Sequence, residues 1–432
     1  MKSRLTGIAV FLISALVLSA QADGYLSPSG VVAAPNGRTL YVSGQTAARI
    51  AMFDIASGKV VRRIELGAAP GGIAVSADGA TLYVAAGSLA GEVLVIDAAS
   101  GRVTARIAAG HTPMAPVLGR DGKALYVCNR FSNDISVIDL VARKETGRIP
   151  VVREPVAAAI TPDGSTLVVA NLLPVGPANV EMVAAAVSVV NLKTRQVRNI
   201  PLANGSTGLR GICVSPDGRF AYVTHTLGRY QLPTTQLERG WMNTNALSII
   251  DVSAGKALNT VLLDDVHLGA ANPWGVACST DGKLIAVAHA GTHELSVIDR
   301  IGLHTKLARE AGAASASSDL SFLTGLRRRI KLTGRGPRGL TLIGGKAYAA
   351  EYFSDSLAVA DLNASSNDGV RSIALGPKIP MTPRRKGELF FNDGTLCFQQ
   401  WQSCASCHPD ALADALNWDL LNDGIGNPKN SR

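Results

Sequence analysis

Two cysteines and a histidine near the C-terminus carry the clearest chemistry of this 432-residue chain: Cys404-Ala405-Ser406-Cys407-His408. Thiols three positions apart stand on one helical turn, where both can add to the two vinyl groups of a single haem. The adjoining imidazole is then held beneath the ring to bind iron. The C-x-x-C-H spacing therefore predicts one covalently bound haem c, with Cys404 and Cys407 as thioether sites and His408 as the axial iron ligand. A zinc site would need further Cys or His at ligand spacing close by, and none follows. A thioredoxin-like redox pair would need a surrounding βαβ pattern, which is absent.

The other end of the chain agrees with this chemistry. Lys2 and Arg4 precede the apolar stretch Leu5–Ala20, and Ala20-Gln21-Ala22 closes it. That order of basic, apolar and small-x-small residues predicts a cleaved secretory signal over residues 1–22. The run is too short for a comfortable membrane span, and no later stretch is long and uncharged enough for one. The mature protein is expected in the periplasm or otherwise outside the cytoplasm, where C-x-x-C-H motifs are loaded. Hydrophobic residues make up 47% and charged residues 17%, a globular profile. The formal charge of +9 falls by two when Lys2 and Arg4 leave with the signal. The remainder reads as a solvated basic surface, and the absence of an aromatic-basic patch argues against nucleic acid. Cys128, Cys213 and Cys278 lie in apolar strand patterns, as small buried hydrophobes do. Cys397 is left open to a disulfide with no partner named.

The elements that must position the motif are repeated ones. From Gly24 to about Leu375 the chain repeats four short β-branched strands. One clear unit is Gly72–Gly79, Thr81-Leu-Tyr-Val-Ala, Glu92–Asp97 and Val103–Ile107. Turn residues recur at Asn36-Gly37, Asp78-Gly79, Asp121-Gly122, Asp163-Gly164, Asp217-Gly218, Asp281-Gly282 and Gly344-Gly345. The third strand ends on Asp54, Asp97, Asp139, Asn191, Asp251, Asp299 or Asp361. Seven such units with a period of about 42 residues predict an all-β, seven-bladed β-propeller over residues 23–376. The Leu-Tyr-Val and Val-Ile-Asp wording resembles the YVTN-type bacterial propeller repeat.

Strands alternate in direction within a blade, so the loops between the second and third strands share a face with the blade-to-blade connections. The C-terminal segment must leave from that face. The long insertions lie there too: Leu172–Met182, Thr224–Thr244 (with His225, Arg229, Tyr230, Gln236, Arg239, Trp241, Met242 and Asn243), His289–His293 and Glu351–Asp355, joined by Arg130. Taken together they predict a docking or substrate face, although each His alone reads as a hydrogen-bonded loop residue. Gly302–Leu326 is expected to be a mobile surface insertion on the opposite face. Arg327-Arg328-Arg329 is expected to form a solvated edge.

Residues 377–383 read as a stiff linker. Residues 384–432 read as a short α-helical, cytochrome c-like segment in which Leu389, Phe390 and Phe391 pack on haem. Lys386-Gly-Glu-Leu-Phe-Phe-Asn392 followed by Cys404-x-x-Cys-His408 is similar to the first haem module of bacterial di-haem cytochrome c peroxidases. The whole resembles exported YVTN propellers carrying a C-terminal cytochrome c domain. The resemblance implies the same assignments for Cys404, Cys407 and His408. A self-contained domain of this kind needs about 80–100 residues, yet only 24 follow His408 in this chain, with no Met, His or Cys among them. The segment is therefore expected to be incomplete, a shortened version of a longer protein, with Trp418, Leu420 and Leu421 lacking core partners. His225, Met242, His289, His293 or Met381 could otherwise supply the sixth iron ligand.

Three functions follow as expectations. The first is electron transfer through haem c to a redox partner protein, with the propeller as platform. The second is peroxidase-like chemistry on a small oxidant at an open axial position, with Arg229, Arg239 or Glu351 as acid–base or charge-stabilising groups. The third is a non-redox binding module with a degenerate haem segment.

Overall fold

Leu-Tyr-Val in the second strand of each repeat decides how the repeats stack. Alternate side chains of a strand face opposite sides of its sheet. Leu82 and Val84 accordingly pack onto the preceding repeat, while Tyr83 leans on the following one. Leu40, Leu82, Leu125 and Leu167 are all fully buried this way, each stabilising by about 1.5–3 kcal/mol. The structure, a computed structural model, describes residues 24–232, 242–309, 316–364, 369–421, 424–426 and 428–430. The expected signal at 1–22, and Gln236, Arg239 and Trp241, lie outside the described residues.

Seven four-stranded antiparallel sheets form the blades, each built from four consecutive strands (A to D, innermost to outermost). Blade one runs through Pro28–Ala33, Thr39–Gly44, Arg49–Asp54 and Lys59–Glu65. Blade seven ends with Arg371–Ala374. The chain is a seven-bladed β-propeller, as its repeats predict. The ring closes without exchanging a strand. Leu26, Val31 and Leu40 pack against Tyr348, Leu357 and Leu375, and the Ser27 amide donates to Asp355 Oδ1 at 2.8 Å.

The recurring acidic residues are turn caps. Asp78 accepts from the Ala80 amide at 2.9 Å, and Gly79 takes the left-handed φ of 74° that the turn requires. At the other turn Asp54, Asp97, Asp139, Asn191, Asp251, Asp299 and Asp361 accept backbone N–H groups two or three residues ahead. Six of the seven A strands open on proline (Pro28, Pro70, Pro113, Pro155, Pro273, Pro337). This is a strand position that needs no ladder donor.

Two expectations are corrected. The insertion after Asp299 is packed rather than loose. It forms a helix, α1 (Arg300–Arg309), whose Leu303 is buried with Phe322, Leu323 and Ala316 against blades five and six. It then runs over the outer edge of blade five, where the Ser317 carbonyl accepts from Arg229 on the far face. Residues 310–315 lie outside the described residues. Arg327 and Arg329 are not a solvated edge: both pair with Asp265, and Arg329 also with Glu294. Arg328 donates to the Leu362 and Ala364 carbonyls. The charges are consumed in fastening loops, which a linear run of arginines does not reveal. Among the described residues, no helix is long and apolar enough to cross a membrane.

Candidate functional site

The segment after blade seven lies on the face where strands A begin, as strand parity predicts, and it is tied down at nearly every step. Tyr25 Oη donates to the Pro380 carbonyl at 2.6 Å and accepts from the Thr382 amide at 2.8 Å. Thr382 caps helix α2 (Pro383–Asn392), whose first residue is proline. The helix presses Leu389 against Tyr352 and Phe353. It also buries Arg385, which donates to the Tyr352 carbonyl at 2.6 Å and stacks on Tyr25, Tyr352 and Phe353. At its end, Asp393 lies 3.3 Å from His293 Nε2. Trp401 is buried, and its carbonyl accepts from Asn245 at 2.9 Å.

The haem-motif turn is helix α3 (Cys404–Cys407). Ser403 and Ser406 cap it reciprocally, and one propeller residue clamps both. Asn272 donates to Ser403 Oγ and accepts from Ser406 Oγ, each at 2.7 Å. Asn243 donates to Cys407 Sγ at 3.1 Å. The two thiols differ. Cys404 is exposed, whereas Cys407 packs with Leu416, Trp418, Tyr230, Val183 and Met242. Burial, and then the Asp414 carboxylate, push the Cys407 thiol up to about 12. All six cysteines, Cys397 included, are free thiols.

His408 Nδ1 lies 3.1 Å from the Leu412 carbonyl. A carbonyl only accepts, so Nδ1 carries the proton there and Nε2 keeps its lone pair. A second-sphere carbonyl orients iron-binding imidazoles in this way. Two free thiols on one turn, one of them open to solvent, and an imidazole so oriented fit a c-type haem.

Two residues further on, Asp410 locks the turn to the propeller axis. Arg210 embraces it with both Nη atoms at 2.8 Å, and Arg130 Nη1 reaches it at 2.8 Å. Burial opposes its ionisation, but Arg210, Arg130 and Arg338 outweigh that and hold its carboxyl well below the ordinary range. Arg130 also grips Glu154 through Nε and Nη2. Thr207 Oγ1 donates to the Asp414 carbonyl at 2.8 Å. The Asp414 carboxylate accepts from the Trp418 indole at 2.7 Å. Trp418 therefore has its core partners, and the propeller supplies them; Leu420 is exposed.

The other predicted residues are placed differently. Leu389 and Phe391 face the propeller, Phe391 lining its axial cavity, and Phe390 is exposed. His225 and His289 are buried at one repeated structural position, the sixth residue of strand B. There they pair with a serine of strand C: His225 Nε2 with Ser248 and His289 Nε2 with Ser296, each at 2.8 Å. Asn129 with Ser136 and Asn171 with Ser188 do the same in blades three and four. Glu351 stands there in blade seven, bonded to Ser356, Ser372 and the Gly334 amide. Reading these residues in register with Asn129 and Asn171 reveals this position. Met381 packs on Tyr352, Phe353 and Leu389. Of the five named sixth-ligand candidates, Met242 is the one that shares a cluster with the motif.

Burial lowers His225 to about 4, His289 to about 3 and His304 to about 4. All three are neutral when folded and gain a proton on unfolding below their ordinary 6.5. Their contribution to stability is complete above pH 6.5 and is lost as pH falls toward 4. Asp264, raised to about 6 by burial, opposes them. Thermal melts should show Tm falling on acidification through this window, with a shallower fall in His304→Gln. A flat profile contradicts the burial argument.

No family model matches the chain. It is 30% identical over 212 residues to the hydrazine synthase subunit beta of Kuenenia stuttgartiensis, a match covering 43% of this chain. The chain spans about half the length of that relative, 53%. A solved structure of Kuenenia stuttgartiensis hydrazine synthase superimposes with a TM-score of 0.72 at 27% identity, covering 82% of this chain and 99% of that one.

Proposed function

We propose that this is an exported c-type haem protein that passes single electrons to a protein partner, the propeller serving as the docked platform. Cys404 and Cys407 would hold the haem and His408 its iron. The observation that carries this is the turn itself, with an exposed Cys404 and a His408 whose Nδ1 is committed to Leu412. When bound, the haem supplies a one-electron couple tuned by its ligands and surroundings. The chain's own residues do the rest. Asn272 and Asp410 fix the turn, Leu412 orients the imidazole, and Cys404 stands open to solvent. The relative's name makes it a subunit of an enzyme, which favours a protein partner for this chain as well.

Transfer is preferred to peroxidase-like chemistry because the acid–base candidates are spent elsewhere. Glu351 is bonded inside blade seven and Arg229 to the Ser317 carbonyl, and Arg239 lies outside the described residues. The chain matured in a host with haem-ligation machinery should give a low-spin, six-coordinate spectrum and a reversible one-electron titration. A high-spin spectrum with peroxide turnover overturns this reading in favour of the enzyme.

A further inference from the structure

Ser29, Gly71, Met114, Val156, Trp274 and Arg338, each the second residue of its A strand, and Arg210, the fifth residue of Ser206–Val214, lie together at the mouth of the propeller channel. Below and beside them lies a cavity of 680 Å³, overhung by Phe391 of α2 and by Asp410. Adjacent A strands approach closely here. A Cβ on Gly211 would overlap the Trp274 carbonyl, and one on Gly275 the Arg338 carbonyl. Small residues therefore let the arginines and the tryptophan share one wall.

The cavity's charged lining is three guanidiniums, Arg130, Arg210 and Arg338, against two carboxylates, Asp410 and Glu388. Arg130 and Arg210 are committed to Asp410, and Glu388 to Arg385. Arg338 is not committed. Among the described residues its guanidinium makes no hydrogen bond or ion pair. It is held flat by aromatic faces, 3.4 Å from the Tyr352 ring centre and 4.5 Å from that of Trp274. Burial lowers its pKa, against the pull of the nearby Asp410 and Glu388 carboxylates, neither of which is hydrogen-bonded to it. Deeper in the channel the lining is apolar, with Ile73, Ile212, Val276 and Leu340.

We infer that this cavity binds a small organic carboxylate, its two oxygens on the fork of Arg338 and its apolar body along the inner ends of the A strands. A planar guanidinium stacked on aromatic rings suits bidentate recognition of a carboxylate. A cavity of this size, charged at its mouth and apolar along part of its wall, has the form of a small-molecule site. The site uses no atom of the Cys404–His408 turn and stands whether or not the haem reading does.

Benzoate is the probe, with benzamide as its neutral counterpart, titrated calorimetrically at matched ionic strength. The wild-type chain should bind one benzoate saturably and benzamide at least about tenfold more weakly, the loss of a charge-assisted pair. Arg338→Gln should lose benzoate binding to a similar degree, and Arg338→Lys should recover only part. The Cys404→Ala/Cys407→Ala chain should bind as the wild type does. Equal affinity for benzamide, no saturable benzoate binding by the wild type, or full binding by a folded Arg338→Gln chain overturns the inference. The benzoate–benzamide comparison needs no variant to fold.

Discussion

Replacing Asp410 with alanine should free the Cys404–His408 turn from the propeller while leaving the blades intact. The substitution strands Arg210 and leaves Arg130, which meets it at this carboxylate, with Glu154 alone. Asp410 keeps 32% of its side chain exposed against 10–12% for the two arginines, so its removal costs about 1.4 kcal/mol, between an exposed and a buried pair. Amide exchange over residues 404–418 should then quicken roughly tenfold, since 1.4 kcal/mol is a factor of ten. The main thermal transition should hardly move, because Asp410 belongs to no blade core. Asp410→Asn keeps the shape without the charge and should fall between. Unchanged exchange in Asp410→Ala would mean that Asn272, Thr207 and Trp418 seat the turn without it.

The second large effect concerns the thiols. Cys404→Ala/Cys407→Ala should abolish covalent haem altogether, with the β-sheet circular dichroism and melting of the propeller retained. Cys404 is exposed, and Cys407 packs only on the small cluster around Leu416 and Trp418. Neither enters an inter-blade core. Retention of covalently bound haem in the double variant would contradict the assignment of these two sulfurs.

What the sequence made legible was local or periodic. Repeated turn residues, the Leu-Tyr-Val strand and strand parity suffice for seven blades and for the face on which the tail emerges. The C-x-x-C-H turn is legible for the same reason, since five adjacent residues carry it. What was hidden depends on contacts between distant residues. Arg210 and Asp410 are 200 positions apart, and nothing near either announces the other. The clue was an arginine followed by glycine within strands A, in Leu209-Arg210-Gly211 and Pro337-Arg338-Gly339. His225, His289 and Glu351 suggest chemistry only when gathered into one face; each His alone reads as a hydrogen-bonded residue, and in register with Asn129 and Asn171 they close strand B onto strand C. The arginine run at 327–329 looked solvated because its partners Asp265 and Glu294 lie well upstream.

The most direct test weighs the protein itself. Intact-mass measurement of the chain matured and exported by a haem-ligating host, under denaturing conditions, should show the mass of one haem added to the polypeptide. The Cys404→Ala/Cys407→Ala chain from the same host should lack it. A wild-type chain at the bare polypeptide mass, alongside a control cytochrome that is loaded, would contradict the haem assignment.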